Sequence, residues 1–235
     1  MQGITLSLQD AKELAWALVP HTSDDKVTPV LRNVALGGDL GNFAYATDRY
    51  TVGRFDLTNM VDGDMPTEMI LIPGKALAAV RSLGPTTLPN SLFASEYLIR
   101  FETIEVASVN YVLAKAIWRT EDQGDMVQWM RSWLVPTSVG NFPPVSRLFT
   151  VTPGVDTYRT HLMAEHVDKF TRYAAHIESP IRITLTERVN QKDSPVLVEI
   201  GRRFKGLIQP TIVLDSFGFG DDLAFDNAKK NEASE

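Results

Sequence analysis

The chain has no cysteine among its 235 residues. Disulfides, thiolate nucleophiles and cysteine-held zinc are therefore excluded, and a reducing cytoplasm is the expected setting. No stretch approaches the roughly 18 consecutive apolar residues of a membrane span, so no membrane association is expected. The opening residues, MQGITLSLQDAKEL, lack the basic start and apolar core of a secretory leader. Positive charge is not in excess either: 23 Lys and Arg stand against 29 Asp and Glu, a net charge of −6. That excludes a uniformly basic surface but permits a locally basic face, because a field follows where the charges sit.

Catalytic and metal-binding patterns are missing too. The four histidines are scattered, and no G-x-S-x-G elbow accompanies them. His161 and His166 stand five residues apart, which turns a helix about 140°, whereas a metal-binding pair needs i, i+4 spacing. Gly218-Phe219-Gly220 has no Lys-Ser/Thr and no helix after it, so it is not a phosphate loop. The expectation is a protein that is not an enzyme, with no catalytic residue, no metal and no cofactor.

What is present is the composition of a soluble globular protein, 44% apolar and 22% charged. The length suits one large domain or two of about 110 residues. Hydrophobic periodicity repeats one recipe along it: strand, helix, strands. Ile4, Leu6 and Leu8 alternate as a strand. Ser7 caps a helix over 8–19 with Leu8, Ala11, Leu14, Ala15 and Leu18 on its buried stripe, and Trp16 on the opposite side. Leu31 to Leu57 alternates as strands around the turn GGDLGN. The recipe recurs as the strand EMILI (68–72), the helix PGKALAAVRSLG (73–84), and a hairpin of Tyr97–Phe101 with Ile104–Val109. It recurs again as a helix over 161–177, with Met163, Val167, Phe170, Ala174 and Ile177 inward, and strands at Ile181–Thr186, Val196–Ile200 and Gly206–Leu214. Residues 126–134 fit a fourth helix slightly better than a strand, because two turns of i, i+3, i+4 spacing are present.

Four segments, in this order and spacing, resemble the bacterial sliding clamp, the β subunit of DNA polymerase III. ATDRYTVGRF resembles its Ala-Thr-Asp-Gly-His-Arg corner, and EMILIPGKALAAVRSLG its strand and helix with Pro and Lys at the turn. VGNFPPVSRLF (139–149) resembles its Gly-x-Phe-Pro-Asp-Tyr connector, and RFKGLIQPTIVL (203–214) its terminal Met-Pro-Met-Arg-Leu-like strand. Arg49-Tyr50-Thr51 in place of Gly-His-Arg, Pro144 in place of Asp and Thr211-Ile212 in place of Met-Arg mark a divergent, phage-type version.

The resemblance implies an α+β DNA-clamp fold of repeated half-domains, with helices on one face of antiparallel sheets. The expected division is a first clamp-like domain over 1–115, a second, shortened one over 116–215, and a flexible acidic tail over 216–235. It further implies a DNA replication processivity factor, a homo-oligomeric ring around double-stranded DNA that tethers DNA polymerase and clamp loader peptides. Family rings carry twelve inner helices, so four helices per chain imply a homotrimer, the favoured state, and three imply four copies. The residues implied to face DNA are Lys12, Lys75, Arg81, Lys169 and Arg172, nearly cancelled by Asp10, Glu13, Glu165 and Asp168. The implied peptide pocket comprises Thr47, Arg49, Tyr50, Val52, Pro143, Leu148, Leu207, Gln209, Pro210 and Thr211. The alternative is a viral structural or assembly ring protein with no DNA-sliding role.

Overall fold

The computed structural model describes residues 3–83, 96–119, 128–137, 140–150, 160–186 and 194–211. Three units follow one another. The first is β1 (Gly3–Ser7), α1 (Leu8–Leu18), β2 (Asn33–Leu36), β3 (Phe43–Thr47) and β4 (Thr51–Asp56). The second is β5 (Ile70–Pro73), α2 (Gly74–Arg81), β6 (Glu96–Val106), β7 (Val109–Arg119) and β8 (Gln128–Pro136). The third is α3 (Ala164–His176), β9 (Ile181–Thr184), β10 (Val196–Ile200) and β11 (Phe204–Ile208).

The first two units exchange strands. β1 pairs with β6, giving a four-stranded sheet β1-β6-β7-β8. β5 pairs with β2, and the resulting β5-β2-β3-β4 continues through β11, β10 and β9 into seven strands. All these pairings are antiparallel. Helix α1 starts as its sequence dictates: the Ser7 hydroxyl accepts from the Asp10 N–H at 3.0 Å, relieving one donor of the helix's first turn. Its inward residues Ala11, Leu14, Ala15, Ala17 and Leu18 are buried.

The sheet has two differently used faces. On the helix side a large core joins α1, α2 and α3 to strand residues such as Leu36, Phe55, Ile72, Ile99, Phe101, Val198 and Phe204. On the other side, a smaller cluster of Leu31, Ala35, Tyr45, Val52 and Leu207 is covered by Phe142 and Val145. Where β4 joins β11, Gly53 stands opposite Gly206. A Cβ on Gly53 would meet Leu18 at 2.8 Å and His21 at 2.9 Å. A Cβ on Gly206 would fall inside the Phe170 ring and 3.0 Å from the Val52 carbonyl oxygen. The missing side chains thus let the rings of α3 and of the α1 terminus rest directly on the seam.

Several sequence expectations need correcting. Residues 128–136 are strand β8 and not part of a fourth helix; β7 offers a long unpaired edge, and pairing with it overrides the helical spacing. Position 115/116 falls inside β7. The hairpin turns at Ala107 and Ser108, both with positive φ (49° and 62°), and not near residue 102; no Gly or Asn announces that turn. The inward face of α3 is rotated, with His166, Phe170, Tyr173 and Ala174 buried and Met163 41% exposed. Tyr173 is drawn in because its hydroxyl donates to Glu13 on α1 at 3.0 Å. β11 starts earlier than expected, at Phe204, and ends at Ile208. The acidic tail lies outside the described residues.

Gly53→Ala and Gly206→Ala should each lower stability by about 1–3 kcal/mol through overpacking, read as a fall in the urea midpoint. Unchanged midpoints would mean the seam is loosely packed.

Candidate functional site

The corner between β3 and β4 is organised by one carboxylate. Asp48 Oδ1 accepts from the N–H of Tyr50 (3.1 Å), the N–H of Thr51 (2.7 Å) and the Thr51 hydroxyl (2.9 Å). An aspartate bonding the backbone two residues on closes a tight turn, and Arg49 inside it takes φ 82°. Asp48 Oδ2 pairs with Lys169, which reaches over from α3. Burial pushes the Asp48 carboxyl up, but the bonds from Lys169 and Thr51 outweigh it and hold the group below the usual carboxylate range.

Behind the corner lies His21, fully buried. Its ring centroid is 4.6 Å from that of Phe170 and 5.7 Å from that of Phe204. Nδ1 lies 3.0 Å from the Thr51 hydroxyl, which already donates to Asp48, so Nδ1–H donates to Thr51. Burial first, then the charge of Lys169, push His21 down to about 3, with Asp48 opposing. The sequence reading missed both His21 and Asp48; the Ala-Thr-Asp motif was the available signal for the latter.

Of the expected pocket residues, Thr47, Arg49, Tyr50, Val52, Leu207 and Gln209 lie at or beside this corner, with different roles. Thr47 is buried, and its hydroxyl donates to the Thr51 carbonyl (2.8 Å) and accepts from Arg49 N–H (3.2 Å), so it builds the turn. Arg49 pairs with Asp25 at 2.8 Å and also bonds Thr28. Val52 and Leu207 are direct partners across β4–β11 and form a buried floor. Gln209 N–H donates to the Tyr50 carbonyl at 2.8 Å, which brings the end of β11 to the corner. Thr211 N–H donates to the His161 carbonyl at 2.8 Å. Pro210 and Pro143 are half-buried. Tyr50 is 58% exposed and lies flat against His166, with centroids 5.2 Å apart. Leu148 is 45% exposed on the connector. The connector itself is pinned by Phe149, whose ring takes the Arg54 guanidinium at 4.6 Å and lies 5.9 Å from that of Tyr45. Tyr50 and Leu148 are thus exposed apolar groups, while Val52 and Leu207 belong to the buried cluster that Phe142 and Val145 cover.

The helix side is less uniform than the sequence implied. Lys75 and Arg172 are exposed and Lys12 is half-buried. Arg172 pairs with Asp168 one turn earlier. Lys169 is spent on Asp48 and points to the corner. Arg81 bonds the Ala15 carbonyl near the end of α1 and lies over Trp16 at 4.5 Å; burial, and then the charge of Arg172, push its guanidinium down. Trp16 also stacks on His176 at 4.8 Å, so its outward position joins α1 to both α2 and α3. An open cleft of about 600 Å³ lies at the start of α2, with Lys26, Arg32 and Lys75 among its lining. Lys26 and Arg32 are basic groups the sequence reading did not select. No group of three or more metal-ligating side chains occurs among the described residues.

The buried histidine gives a pH signature. Between about 6.5 and 3 the unfolded chain holds a proton on His21 that the folded chain does not, so stability falls as pH drops. The expected slope is about 1.4 kcal/mol per pH unit well below 6.5. His21→Gln should flatten that slope in urea titrations between pH 6 and 4.5; an unchanged slope would contradict the assignment.

No family model matches the chain, and no curated protein matches it by sequence. Solved structures do. The DNA polymerase sliding clamp from Bacillus subtilis matches with a TM-score of 0.55 at 14% identity, covering 90% of this chain and 64% of that one. The DNA polymerase III β subunit of Borrelia burgdorferi gives 0.53 at 9% identity, with 90% and 63% covered. The corresponding subunit of Thermotoga maritima gives 0.52 at 11%, with 91% and 65% covered. The chain thus spans less than two thirds of each of these proteins. At such identities the likeness shows the fold: this is an α+β chain with the sliding-clamp fold.

Proposed function

We propose that this protein is a divergent, phage-type sliding clamp, a processivity factor that encircles duplex DNA in the cytoplasm and tethers a polymerase. The observation that carries the reading is the arrangement of the three units, with every described α-helix on one face of sheets that run on from unit to unit. Such a surface, curved through joined copies, presents helices to an enclosed duplex and strands to the outside. A tether of this kind works by topology and needs no catalytic group.

Lys12, Lys75 and Arg172, with Arg81 and the cations of the cleft at α2, are the proposed phosphate contacts. Loose contacts to phosphate suit a protein that must slide and not read bases. Lys169 leaves this group because it serves the corner. The proposed docking site for polymerase and loader peptides is the rim of Tyr50, Leu148, Arg49 and Gln209 over Val52 and Leu207, with Pro143, Pro210 and Thr211 beside it; Thr47 holds its turn. An apolar floor with polar rims fits a short peptide carrying Leu and Phe anchors.

The first domain is proposed to run through β8 and not to end at residue 115, with the third unit as the shortened second domain. The trimer depended on a fourth helix in 126–134. With three α-helices among the described residues, a ring of twelve needs four copies. The near balance of charge on the helix face favours the second reading, a viral structural ring that ignores DNA.

Incubation with nicked circular and linear duplexes of equal length separates the two. A clamp should stay with circles through gel filtration, run off linear molecules, and be released from circles when they are cut. Its initial capture should weaken as salt rises, and Lys75→Ala with Arg172→Ala should reduce it further. Equal retention on both forms, or none on either, would reject the reading.

A further inference from the structure

A row of side chains with unbalanced charge crosses the outer face of the seven-stranded sheet. Arg182 on β9 stands opposite Glu199 on β10, Glu199 opposite Lys205 on β11, and Lys205 opposite Arg54 on β4. Alternate strand residues share a face, so the row lies on the side of Leu207 and Val52, away from the helices. Three cations thus share one carboxylate. The Lys205 ammonium donates to Glu199 at 2.6 Å, and Arg182 lies 3.7 Å from the other oxygen. The Lys205 hydrogen bond first, and then the charges of Lys205, Arg182 and Arg54, overcome burial and hold Glu199 below the usual carboxylate range. Arg54 forms no ion pair among the described residues; its guanidinium rests on the rings of Phe43 and Phe149 at 4.8 and 4.6 Å. The next acid on that face of β4, Asp56, accepts from the Thr58 N–H at 2.9 Å. Like charges directly opposed on neighbouring strands destabilise a sheet, and an anion above Lys205 and Arg54 would relieve them. The Arg182 and Lys205 side chains are 78% and 43% exposed, so the row is open to such a partner.

The matching anion lies in the same sequence. Thr211 is held by its bond to the His161 carbonyl, and residues 212–235 follow it. Asp215, Asp221, Asp222 and Asp226 fall in that stretch, with no Lys or Arg before Lys229. Phe217, Phe219, Leu223 and Phe225 are interspersed among them. From Thr211 back to Lys205 the distance is roughly 20 Å, at about 3.3 Å per strand residue. The residues from Thr211 to Asp221 can span up to about 33–36 Å when extended, so the acids reach the row with chain to spare. Gly218 and Gly220 permit the reversal of direction this requires. Partly buried Leu197, next to Glu199 on the same face of β10, offers apolar surface for a ring.

We propose that the acidic segment 215–226 folds back over the outer face of its own chain and sets its aspartates against Arg54, Lys205 and Arg182. A positive row on this face would otherwise draw a duplex or another polyanion. The tethered acids occupy it and keep such ligands off the strand side. Because segment and row belong to one chain, the contact forms at an effective concentration of about millimolar order, so weak individual ion pairs suffice. The inference goes beyond the clamp reading and needs neither a ring nor DNA.

The test uses the full chain, and the absence of cysteine lets introduced disulfides report position. Thr184 is the partner of Leu197 on the outer face beside the row, and Ala79 is exposed on α2. Thr184→Cys with Ala224→Cys should oxidise to an intrachain disulfide about tenfold faster than Ala79→Cys with Ala224→Cys. The advantage should disappear in molar salt, where charges are screened within about 3 Å, and on adding Arg54→Glu with Lys205→Glu. A second measurement uses a fluorescent peptide of residues 215–226. The full chain carrying Asp221→Asn, Asp222→Asn and Asp226→Asn has a freed row and should bind this peptide about tenfold more tightly than the unaltered chain, with the circular dichroism spectrum retained. Equal oxidation of the two cysteine pairs, disulfides between copies in place of within one, or equal peptide binding by the two chains would overturn the proposal. An oligothymidylate bound by the unaltered chain and lost with Lys205→Glu would give the row to nucleic acid and overturn it as well.

Discussion

Across β4 and β11, Gly53 and Gly206 face each other with no side chain on the helix side, and the packing of three units depends on that bare floor. Phe170 of α3 rests on it from one side and His21 from the other, with Phe204 beside both. A larger residue at either position would lift the rings and with them the helix that carries Phe170. The seam therefore does two jobs. It makes seven strands continuous, and it brings the third unit close enough for Tyr173 of α3 and Arg203, just before β11, to reach the acids of α1. On the opposite face, the next residues along the same two strands, Val52 and Leu207, form the floor of the proposed peptide site. One strand pairing thus sets both the helix-lined surface and the cluster beneath the proposed docking surface.

Electrostatics at the corner follow from this closeness. Asp48 would be costly to bury alone, and Lys169 neutralises it while Thr51 and the turn backbone satisfy its remaining lone pairs. The arrangement withdraws one cation from the helix face. That face is left with Lys75, Arg172, Lys12 and the partly buried Arg81. Arg81 is also structural, since it closes the end of α1 and clasps Trp16, so its loss would disturb helix packing as well as charge.

Much of the fold was legible in the sequence because strong local signals agreed with the tertiary outcome. Ser7 and the stripe through Leu18 defined α1, alternation defined β2 to β4, and Pro73 marked the start of α2. β8 was misread because its apolar residues satisfy two periods, and the choice was made by an edge of β7 far away in sequence. The 107–108 turn was missed because Ala and Ser carry no positive-φ signal. Of the site, the corner was visible in Ala46-Thr47-Asp48. The fate of Lys169 was not, since a helix charge looks the same whether it meets solvent or a buried carboxylate 121 residues earlier. The rotation of α3 toward Tyr173 was hidden for a similar reason, its partner Glu13 lying 160 residues away.

The central claim is that the helix side of the sheets faces nucleic acid and the strand side faces outward. Site-specific photocrosslinking to a circular duplex tests it directly, with the reactive group at Ala79 on the exposed side of α2 in one sample and at Lys205 on the outer face of β11 in another. The account predicts DNA adducts from position 79 and none from position 205. Adducts from position 205 alone would place the DNA on the wrong face and contradict it.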